Sequence, residues 1–407
     1  MKKKIQDVIQ QEFKGLWGTD FSDDGIPVIK TNNMTYEGRI DFSDICKRNI
    51  GFDEASPNFL QKGDLIIEKS GGTKTHSVGY VNIFEGEDNK YICNNFILPL
   101  RPNKELVDCK YLFWQLHGMY EAGKFADCYN KTTGIQNLQK KTYFSKQINV
   151  PSKVEQQKIA AELDTIQSAI DNKKQQLSLL DEAVKSEFVE MFGNPVNNDK
   201  SFPKKRMTEV CPIQESKIQL DSDSVWLLNL DMIEQNTGTI LEKQIVSMDA
   251  LGNSTIQFSS EHVLYSKLRP YLNKVALPDE AGYATSELVP FLPKKEINKI
   301  YFAYLLRSEN FVDLINSKSG GTKMPRASMD FIRKFEIPVP PIDLQEKFAD
   351  FVQQIDKSKF VLQQQIQKLQ KLLLVMVKKF LMIKELNYTI QRISLSHLWL
   401  QNKEYLP

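Results

Sequence analysis

Apolar residues recur at intervals of three and four in two long stretches of the chain, which is the spacing of a heptad repeat. Each stretch extends over about five heptads. Each is interrupted by one polar turn, at Lys173-Lys174 in the first stretch and around Lys359 in the second. The pattern predicts two long helices, at 152–193 and 341–384, each with one apolar seam.

The two seams are long enough for the helices to pair with each other. Their residues are Ile159, Leu163, Ile166, Ile170, Leu177, Leu180, Val184 and Phe188 in the first helix, and Val352, Ile355, Leu362, Ile366, Leu369 and Leu373 in the second. Residues 154–191 contain eight acidic residues and four lysines, whereas residues 343–383 contain four acidic residues and seven lysines. Because opposite net charges favour pairing over self-association, we expect an antiparallel helix pair. The alternative is that each helix packs only on its own globular domain.

The remaining sequence, at 1–151 and 194–340, alternates short β-type runs with turns. Each of these segments also contains one helix-like stretch, at 111–125 and at 301–315. The pattern predicts an α+β fold with two globular domains separated by the two long helices. The C-terminal tail, 385–407, matches no pattern that assigns it a role.

The globular segments and helices form an internal repeat. Ile148-Asn149-Val150-Pro151 precedes Gln156, and Ile337-Pro338-Val339-Pro340 precedes Gln345 at the same spacing. The segment 63–69 similarly resembles 261–267. Since order and helix placement agree, the sequence predicts one unit written twice. The identical hexapeptides at 69–74 and 318–323 lie outside this register, so we interpret them as separate glycine-rich loops.

Composition limits the class of protein. The 407 residues carry a net charge of +2, so any basic surface must come from local arrangement. The five cysteines include no C-x-x-C pair, which argues against a disulfide framework or a structural zinc site and favours the cytoplasm. The apolar run 372–377 is far too short to span a membrane.

Motifs for chemistry are weak throughout. The only Pro-Pro pair, at 340–341, lacks the neighbours of an adenine methyltransferase motif. The segment 118–125 approximates a P-loop but has Phe125 where a hydroxyl is needed, and the D-x-K tripeptide at 88–90 has no acidic partner upstream. The four histidines form no metal-binding pair. We therefore expect no catalytic, cofactor-binding or metal-binding residue in this chain.

Two different globular halves, two similar long helices and the Pro-Pro-Ile-Asp-Leu-Gln-Glu helix start at 340–346 resemble the specificity subunit of type I restriction-modification enzymes. The resemblance covers residue 1 to about residue 383. The first copy departs from it, with Ser152-Lys153-Val154 where the family usually has Pro-Leu-type residues. The resemblance implies that 1–151 and 194–340 are target-recognition domains and that the helices are conserved spacers.

The resemblance also implies a function. Each domain would read one half of a split double-stranded DNA site. The helices would set the spacing and dock two modification (methyltransferase) subunits, which restriction subunits would join. S-adenosylmethionine, ATP and magnesium would then be used by those partners, and this chain would be non-catalytic. The alternatives are a self-contained DNA-modifying enzyme and a coiled-coil scaffold that does not bind DNA.

Base reading requires exposed Lys, Arg, Asn or Gln side chains, and phosphate binding adds amides and hydroxyls. Three loops in each half are rich in such groups. The first-half candidates are Lys30, Asn32, Asn33, Lys69, Gly71, Gly72, Thr73, Lys74, His76, Asn130, Lys131, Thr133, Gln136 and Asn137. The second-half candidates are Asn229, Lys267, Arg269, Tyr271, Lys274, Lys318, Gly321, Thr322, Lys323 and Arg326. Any single residue among them could be an ordinary loop residue, but their equivalent placement in both halves supports the set.

Overall fold

A computed structural model describes residues 1–73, 76–132, 135–220, 222–252, 254–321 and 324–381. The chain forms two compact units. Unit 1 contains Met1–Asn172 and the last helix from Ile366 onward, and unit 2 contains Lys173–Gln365. Each unit therefore combines one globular domain with half of each long helix.

Unit 1 is built from short strands and a few helices. Its elements are β1 (Lys2–Lys4), β2 (Ile9–Glu12), β3 (Phe21–Ile29), β4 (Cys46–Arg48), α1 (Phe52–Ala55), β5 (Leu65–Glu68), β6 (Ser70–Gly71), β7 (Val81–Ile83), β8 (Ile92–Cys93), β9 (Ile97–Pro102), α2 (Cys109–Glu121), β10 (Tyr129–Thr132), β11 (Ile135–Leu138), α3 (Lys140–Ser145), β12 (Gln147–Asn149) and the first half of α4 (Lys153–Phe192).

Unit 2 repeats this plan. Its elements are the second half of α4, β13 (Lys204–Arg206), α5 (Met207–Val210), β14 (Ser224–Leu228), β15 (Gln244–Ser247), β16 (Thr255–Phe258), β17 (Val263–Ser266), β18 (Val275–Ala276), β19 (Gly282–Thr285), β20 (Leu288–Phe291), α6 (Lys299–Arg307), α7 (Glu309–Ser317), α8 (Met329–Lys334), β21 (Glu336–Pro338) and the first half of α9 (Ile342–Leu381).

The sheets show that the two units share one framework. In unit 1 the order β2-β9-β5-β7 places the buried strand β5 between β9 and β7, and in unit 2 the order β18-β17-β20 places β17 in the same position. Strand β3 pairs in parallel with β8, as β14 does with β19. The first strand of each unit pairs antiparallel with its last, β1 with β12 and β13 with β21. The predicted repeat and the α+β class are confirmed.

One predicted helix is wrong in its extent. The stretch at 301–315 is two helices, because Ser308 has extended backbone angles and interrupts α6 and α7. The Ser308 hydroxyl donates to Leu305 O at 2.7 Å, so it satisfies a carbonyl at the end of α6. The matching helix α2 also ends earlier than predicted, at Glu121, and Gly123 follows in the left-handed region at φ 69°.

A repeated glutamine anchors the start of each long helix. Gln156 accepts a hydrogen bond from Asp108 N at 2.7 Å and donates to Pro151 O at 2.9 Å. Gln345 accepts from Asn298 N at 2.9 Å and donates to Glu296 O at 3.0 Å and to Pro340 O at 2.8 Å. Both glutamines are buried. The repeat therefore retains the side chain that ties each long helix to the loop before α2 or α6.

We expect Gln345→Leu to destabilise unit 2 by about 1–3 kcal/mol, because the partly buried Asn298 N–H and the carbonyls of Glu296 and Pro340 lose their partner. Amide hydrogen exchange measures the effect, and we expect it to be faster at the start of α6 in this variant. Gln353→Leu, at an exposed position of the same helix, is the matched control. Equal exchange in the two variants would show that the glutamine does not stabilise the fold.

The long helices pack on each other inside each unit. In unit 1, Val377 of α9 shares a core with Ile159 and Leu163 of α4. In unit 2, Val352 of α9 shares a core with Val184 of α4. Because the first half of one helix packs with the second half of the other, the pair is antiparallel.

The predicted seam residues are all shielded, but to different degrees. Ile159, Leu163, Ile170, Val184, Phe188, Val352 and Ile366 are buried, while Ile166, Leu177, Leu180, Ile355, Leu362, Leu369 and Leu373 are partly buried. The polar turns make cross-helix contacts within unit 2. Lys173 donates to Gln365 Oε1, and Lys359 Nζ lies 2.5 Å from Asp181 Oδ1. The lysines that interrupt the heptad pattern, Lys173 and Lys359, thus each have a polar partner on the other helix.

Candidate nucleic-acid interface

Two of the three candidate loops of unit 1 form one small sheet. Strands β10 and β11 make a hairpin, and β11 pairs with β6 so that Gln136 faces Gly71 and Asn137 faces Ser70. The Ser70 hydroxyl donates to Asn137 Oδ1 at 2.7 Å. Leu138 N donates to Lys69 O at 2.8 Å. Apart from Thr133, which the structure does not describe, the candidates at 69–73 and 130–137 therefore lie on neighbouring segments of the chain.

Gln136 is not available as a reading residue. It is 8% exposed, and its side chain accepts from Val78 N at 3.1 Å and donates to Thr73 O at 3.2 Å. It braces the loop from inside, so we remove it from the DNA-facing set. Asn130, also a candidate, is exposed and accepts a hydrogen bond from Gln139.

The third candidate loop of unit 1 follows β3. Its residue Asn33 was predicted to contact DNA, but the side chain is buried. Asn33 is 3% exposed; its amide donates to Asp41 O and Asp44 O, and its carbonyl oxygen accepts from Lys30 N. All its hydrogen-bonding atoms stabilise the loop, so Asn33 does not face DNA. Asn32 beside it is exposed, and the Lys30 ammonium lies 3.6 Å from the Asp44 carboxylate.

An aromatic pair joins this loop to the glycine-rich loop. The His76 ring stacks on Tyr36, with centroids 3.6 Å apart and planes at 17°. Tyr36 in turn contacts Tyr80, which contacts Tyr120. Burial lowers the pKa of His76, so the neutral ring is favoured. Sequence reasoning selected His76 but missed Tyr36.

The three candidate loops of unit 2 also converge. Arg269 N donates to Pro325 O at 2.7 Å, and Ala327 N donates to Lys267 O at 2.8 Å. The Lys274 ammonium donates to Leu230 O at 2.6 Å, which ties in the loop that contains Asn229. The Asn229 side chain is held by Gln244 at 3.3 Å.

The turn at 269–273 presents one aromatic side chain. Arg269 and Asn273 both have left-handed backbone angles, at φ 48° and 49°, which are costly for residues other than glycine. They bound a single helical turn at whose surface Tyr271 is 51% exposed. Tyr271 is thus placed where it can contact a ligand.

Two predicted cations of unit 2 already have internal partners. Lys274 is held by the Leu230 carbonyl, and burial lowers its pKa, so its role is structural. Arg326 is exposed but forms a two-point ion pair with Glu287, at 2.7 and 3.4 Å. The guanidinium lowers the pKa of the Glu287 carboxyl, which keeps the pair charged. Lys318 and Gly321 remain exposed at the neighbouring loop.

The repeat points to two exposed apolar residues that were not among the sequence candidates. Ile135 precedes Gln156 by the same number of residues as Met324 precedes Gln345, so the two positions match in the repeat. Each side chain is 52% exposed. Apolar side chains on a DNA-facing surface can contact thymine methyl groups. A search for polar side chains alone could not find them, whereas their equal spacing from the repeated helix starts could.

Four candidates, Lys74, Thr133, Thr322 and Lys323, lie outside the described residues. The two identical hexapeptides begin at non-equivalent places, since the first follows β5 and the second follows α7. They are separate loops, as predicted.

Two histidines, His262 and His117, bear on whether the chain could carry out chemistry itself. His262 is 1% exposed; its Nδ1 lies 2.9 Å from Ser259 Oγ and its Nε2 2.9 Å from Gln214 O, so it fastens a turn. Burial lowers the pKa of His117 to about 4. Within the part of the chain that the structure describes, no cluster of three His, Cys, Asp or Glu side chains could hold a metal ion. Across the same residues, no helix combines the length and apolar character needed to span a bilayer.

Comparison with known proteins agrees with this architecture. The family model described as "Type I restriction modification DNA specificity domain" matches residues 1–182 and again 200–371. The chain therefore belongs to that family. It is 23% identical over 307 residues to the Escherichia coli type I restriction enzyme EcoDI specificity subunit, covering 67% of each chain. It is 26% identical over 298 residues to the Methanocaldococcus jannaschii type I restriction enzyme MjaVIII specificity subunit, covering 67% of this chain and 69% of that one.

Solved structures share the fold. The S subunit of a type I restriction-modification system from M. genitalium superposes with a TM-score of 0.55 at 14% identity, over 94% of this chain and 96% of that one. A chain from a study of assembly and conformational transition of the type I R-M system gives a TM-score of 0.53 at 13% identity, over 94% and 97%.

Proposed function

We propose that this chain is the DNA-specificity subunit of a type I restriction-modification complex, and that each unit reads one half of a split double-stranded DNA site. The observation that carries the proposal is the repetition of one framework with different loops. After β5 in unit 1 and after β17 in unit 2, a loop meets the loop before the last strand. A shared framework with different side chains suits two readers of different sequences.

The chemistry is proposed to belong to partner subunits. Modification subunits, two of them, would bind S-adenosylmethionine and methylate DNA, and restriction subunits would use ATP and magnesium. Exposed apolar residues on the long helices support docking there. They are Val154, Leu179 and Val189 on α4, and Val361, Leu372 and Val375 on α9.

Methylome sequencing of cells that express this chain with its modification partner tests the function. We expect methylation at one split sequence with a fixed spacer. A gel-shift experiment with and without the partner separates the alternatives. Methylation by this chain alone would indicate a self-contained enzyme, and an absence of DNA binding in the assembled complex would indicate a scaffold.

The gel-shift experiment and methylome sequencing together test whether unit 2 reads its own half-site. We expect the double variant Tyr271→Ala, Lys318→Ala to weaken DNA binding at least about tenfold, since one contact is worth about 1–3 kcal/mol. The sequence preference of the other half-site should stay unchanged. Lys295→Ala, an exposed cation of unit 2 away from these loops, is the control. Equal loss of preference in both half-sites would contradict independent reading.

A further inference from the structure

The glycine-rich loop of unit 1 rests on a buried carboxyl group. Glu68, the last residue of β5, is 7% exposed, and its Oε1 accepts a hydrogen bond from Gly72 N at 3.2 Å. Gln136 holds the same loop through Thr73 O and Val78 N. Glu68 and Gln136 together fix the loop from below, while its outer surface carries the candidate DNA contacts.

The two glycines fit closely over these braces. A Cβ on Gly71 would lie 2.6 Å from Glu68 Oε1, and one on Gly72 would lie 2.9 Å from Gln136 Cδ. Both glycines also have positive φ, at 129° and 68°. The backbone thus lies directly on the Glu68 carboxyl group, so the form of the loop depends on that side chain.

The surroundings of Glu68 are aromatic. Burial raises the pKa values of Tyr36, Tyr80 and Tyr120, and the nearby charge of Glu68 raises them further. The His76 ring covers Tyr36 from the loop side. Among the described residues no cation forms an ion pair with Glu68.

The nearest basic residue along the chain does not neutralise Glu68. Lys69 follows it directly but interacts with Lys140 and Glu12. Burial raises the pKa of the Glu68 carboxyl, and the Gly72 hydrogen bond offsets this only in part.

Unit 2 provides an internal comparison. Ser266 ends β17 as Glu68 ends β5, and each is followed by a lysine whose N–H donates across the sheet, from Lys69 to Phe96 O and from Lys267 to Glu287 O. Ser266 is 3% exposed, and its hydroxyl donates to Leu268 O at 2.8 Å. The residue that ends the strand is therefore a neutral serine in unit 2 and a titratable glutamate in unit 1.

We propose that Glu68 is a positioning residue for half-site reading by unit 1, and that DNA binding through this unit transfers a proton from solvent to its carboxyl group. The proposal rests on the proposed function. DNA phosphates above the loop add negative potential, which disfavours a buried carboxylate that pairs with none of the described cations. A protonated carboxyl group keeps a carbonyl oxygen that accepts from Gly72 N–H, so neutralisation preserves the loop.

The sign of the pH dependence follows. The DNA-bound complex holds the proton more tightly than the free chain, so affinity is highest at low pH. It falls as pH rises from the pKa of Glu68 in the free chain to its higher pKa in the complex. The slope is at most about one tenfold loss of affinity per pH unit.

The test uses the assembly with its modification partner and a duplex that carries the site found by methylome sequencing. Affinity and calorimetric proton uptake are measured between about pH 6 and pH 8, in two buffers of different ionisation enthalpy. We expect Glu68→Gln to bind the duplex at least as tightly as the wild type at high pH. We also expect it to take up fewer protons on binding. Because His76 can also gain a proton near DNA, the difference between these two proteins reports on Glu68.

Two further variants separate positioning from general charge. Glu68→Ala should lose preference for the first half-site while keeping the second, because Gly72 N–H loses its acceptor. Glu105→Gln removes the same charge from an exposed position of unit 1 and should retain the wild-type pH slope. Equal proton uptake by the wild type and Glu68→Gln, with a split site intact, would overturn this inference alone. Absence of a split site in the wild type would overturn the proposed function.

Discussion

Phe188→Ala is expected to lower the free energy of unfolding of unit 2 by about 3–5 kcal/mol, since truncating a fully buried phenylalanine removes its contacts and leaves a cavity. Phe188 is 3% exposed on α4. Its ring lies 5.2 Å from Phe192, 5.9 Å from Tyr301 and 5.5 Å from Phe348 between ring centroids. One side chain thus joins α4, α6 and α9, so its loss weakens the contact of both long helices with the globular domain.

Urea unfolding followed by hydrogen exchange within unit 2 measures this effect. Val189→Ala is the matched control, because Val189 is the next residue of the helix and is 58% exposed. We expect the control to change stability by less than about 0.5 kcal/mol. Similar losses in the two variants would mean that the helix has no preferred buried face at this position.

The helices were predictable because one physical rule governs them. Apolar residues at heptad spacing must share a face, and a face so long needs another helix to cover it. Which seam residues become fully buried was not predictable. Leu177 and Leu180 have the same spacing as Val184, but only Val184 is fully buried, in a core that the globular domain of unit 2 completes. Full burial of a seam residue depends on whether the globular domain also covers it, and heptad spacing does not encode this.

The repeat carried a second kind of information. Gln156 and Gln345 were visible in the sequence as matched residues after the repeated Val-Pro segments, and both are buried anchors of the helix starts. The interruption at Ser308 was not visible, because serine in a helical pattern is compatible with either a helix interior or a new start. The local backbone angles decide between them, and they follow from tertiary packing.

The candidate loops of each unit lie together in the structure, but some of their candidate side chains are buried. Asn33 and Gln136 are of the types that read bases, and the same amide groups also satisfy buried backbone atoms in a tight loop. Only the structure shows that both turn inward. Ile135 and Met324 were not among the candidates, because those were chosen mainly for polar side chains, and both are exposed.

A four-residue insertion into both long helices is expected to lengthen the spacer between the half-sites by one or two base pairs while leaving both half-site sequences unchanged. Four residues add about 6 Å of rise and about 40° of rotation to an α-helix. Rise alone corresponds to nearly two base pairs at about 3.4 Å each. Rotation alone corresponds to about one, since a DNA turn contains about 10–10.5 base pairs.

The cross-helix contacts specify where the insertions belong. Lys173 meets Gln365, and Asp181 meets Lys359, so a break after Gln176 faces a break after Leu362. Insertion at both places shifts the two seams together, whereas insertion after Gln176 alone puts α4 out of register with α9. We expect methylome sequencing to show a longer spacer for the paired insertion and loss of methylation for the single one. An active paired variant that retains the original spacer would show that the helices do not determine the distance between half-sites.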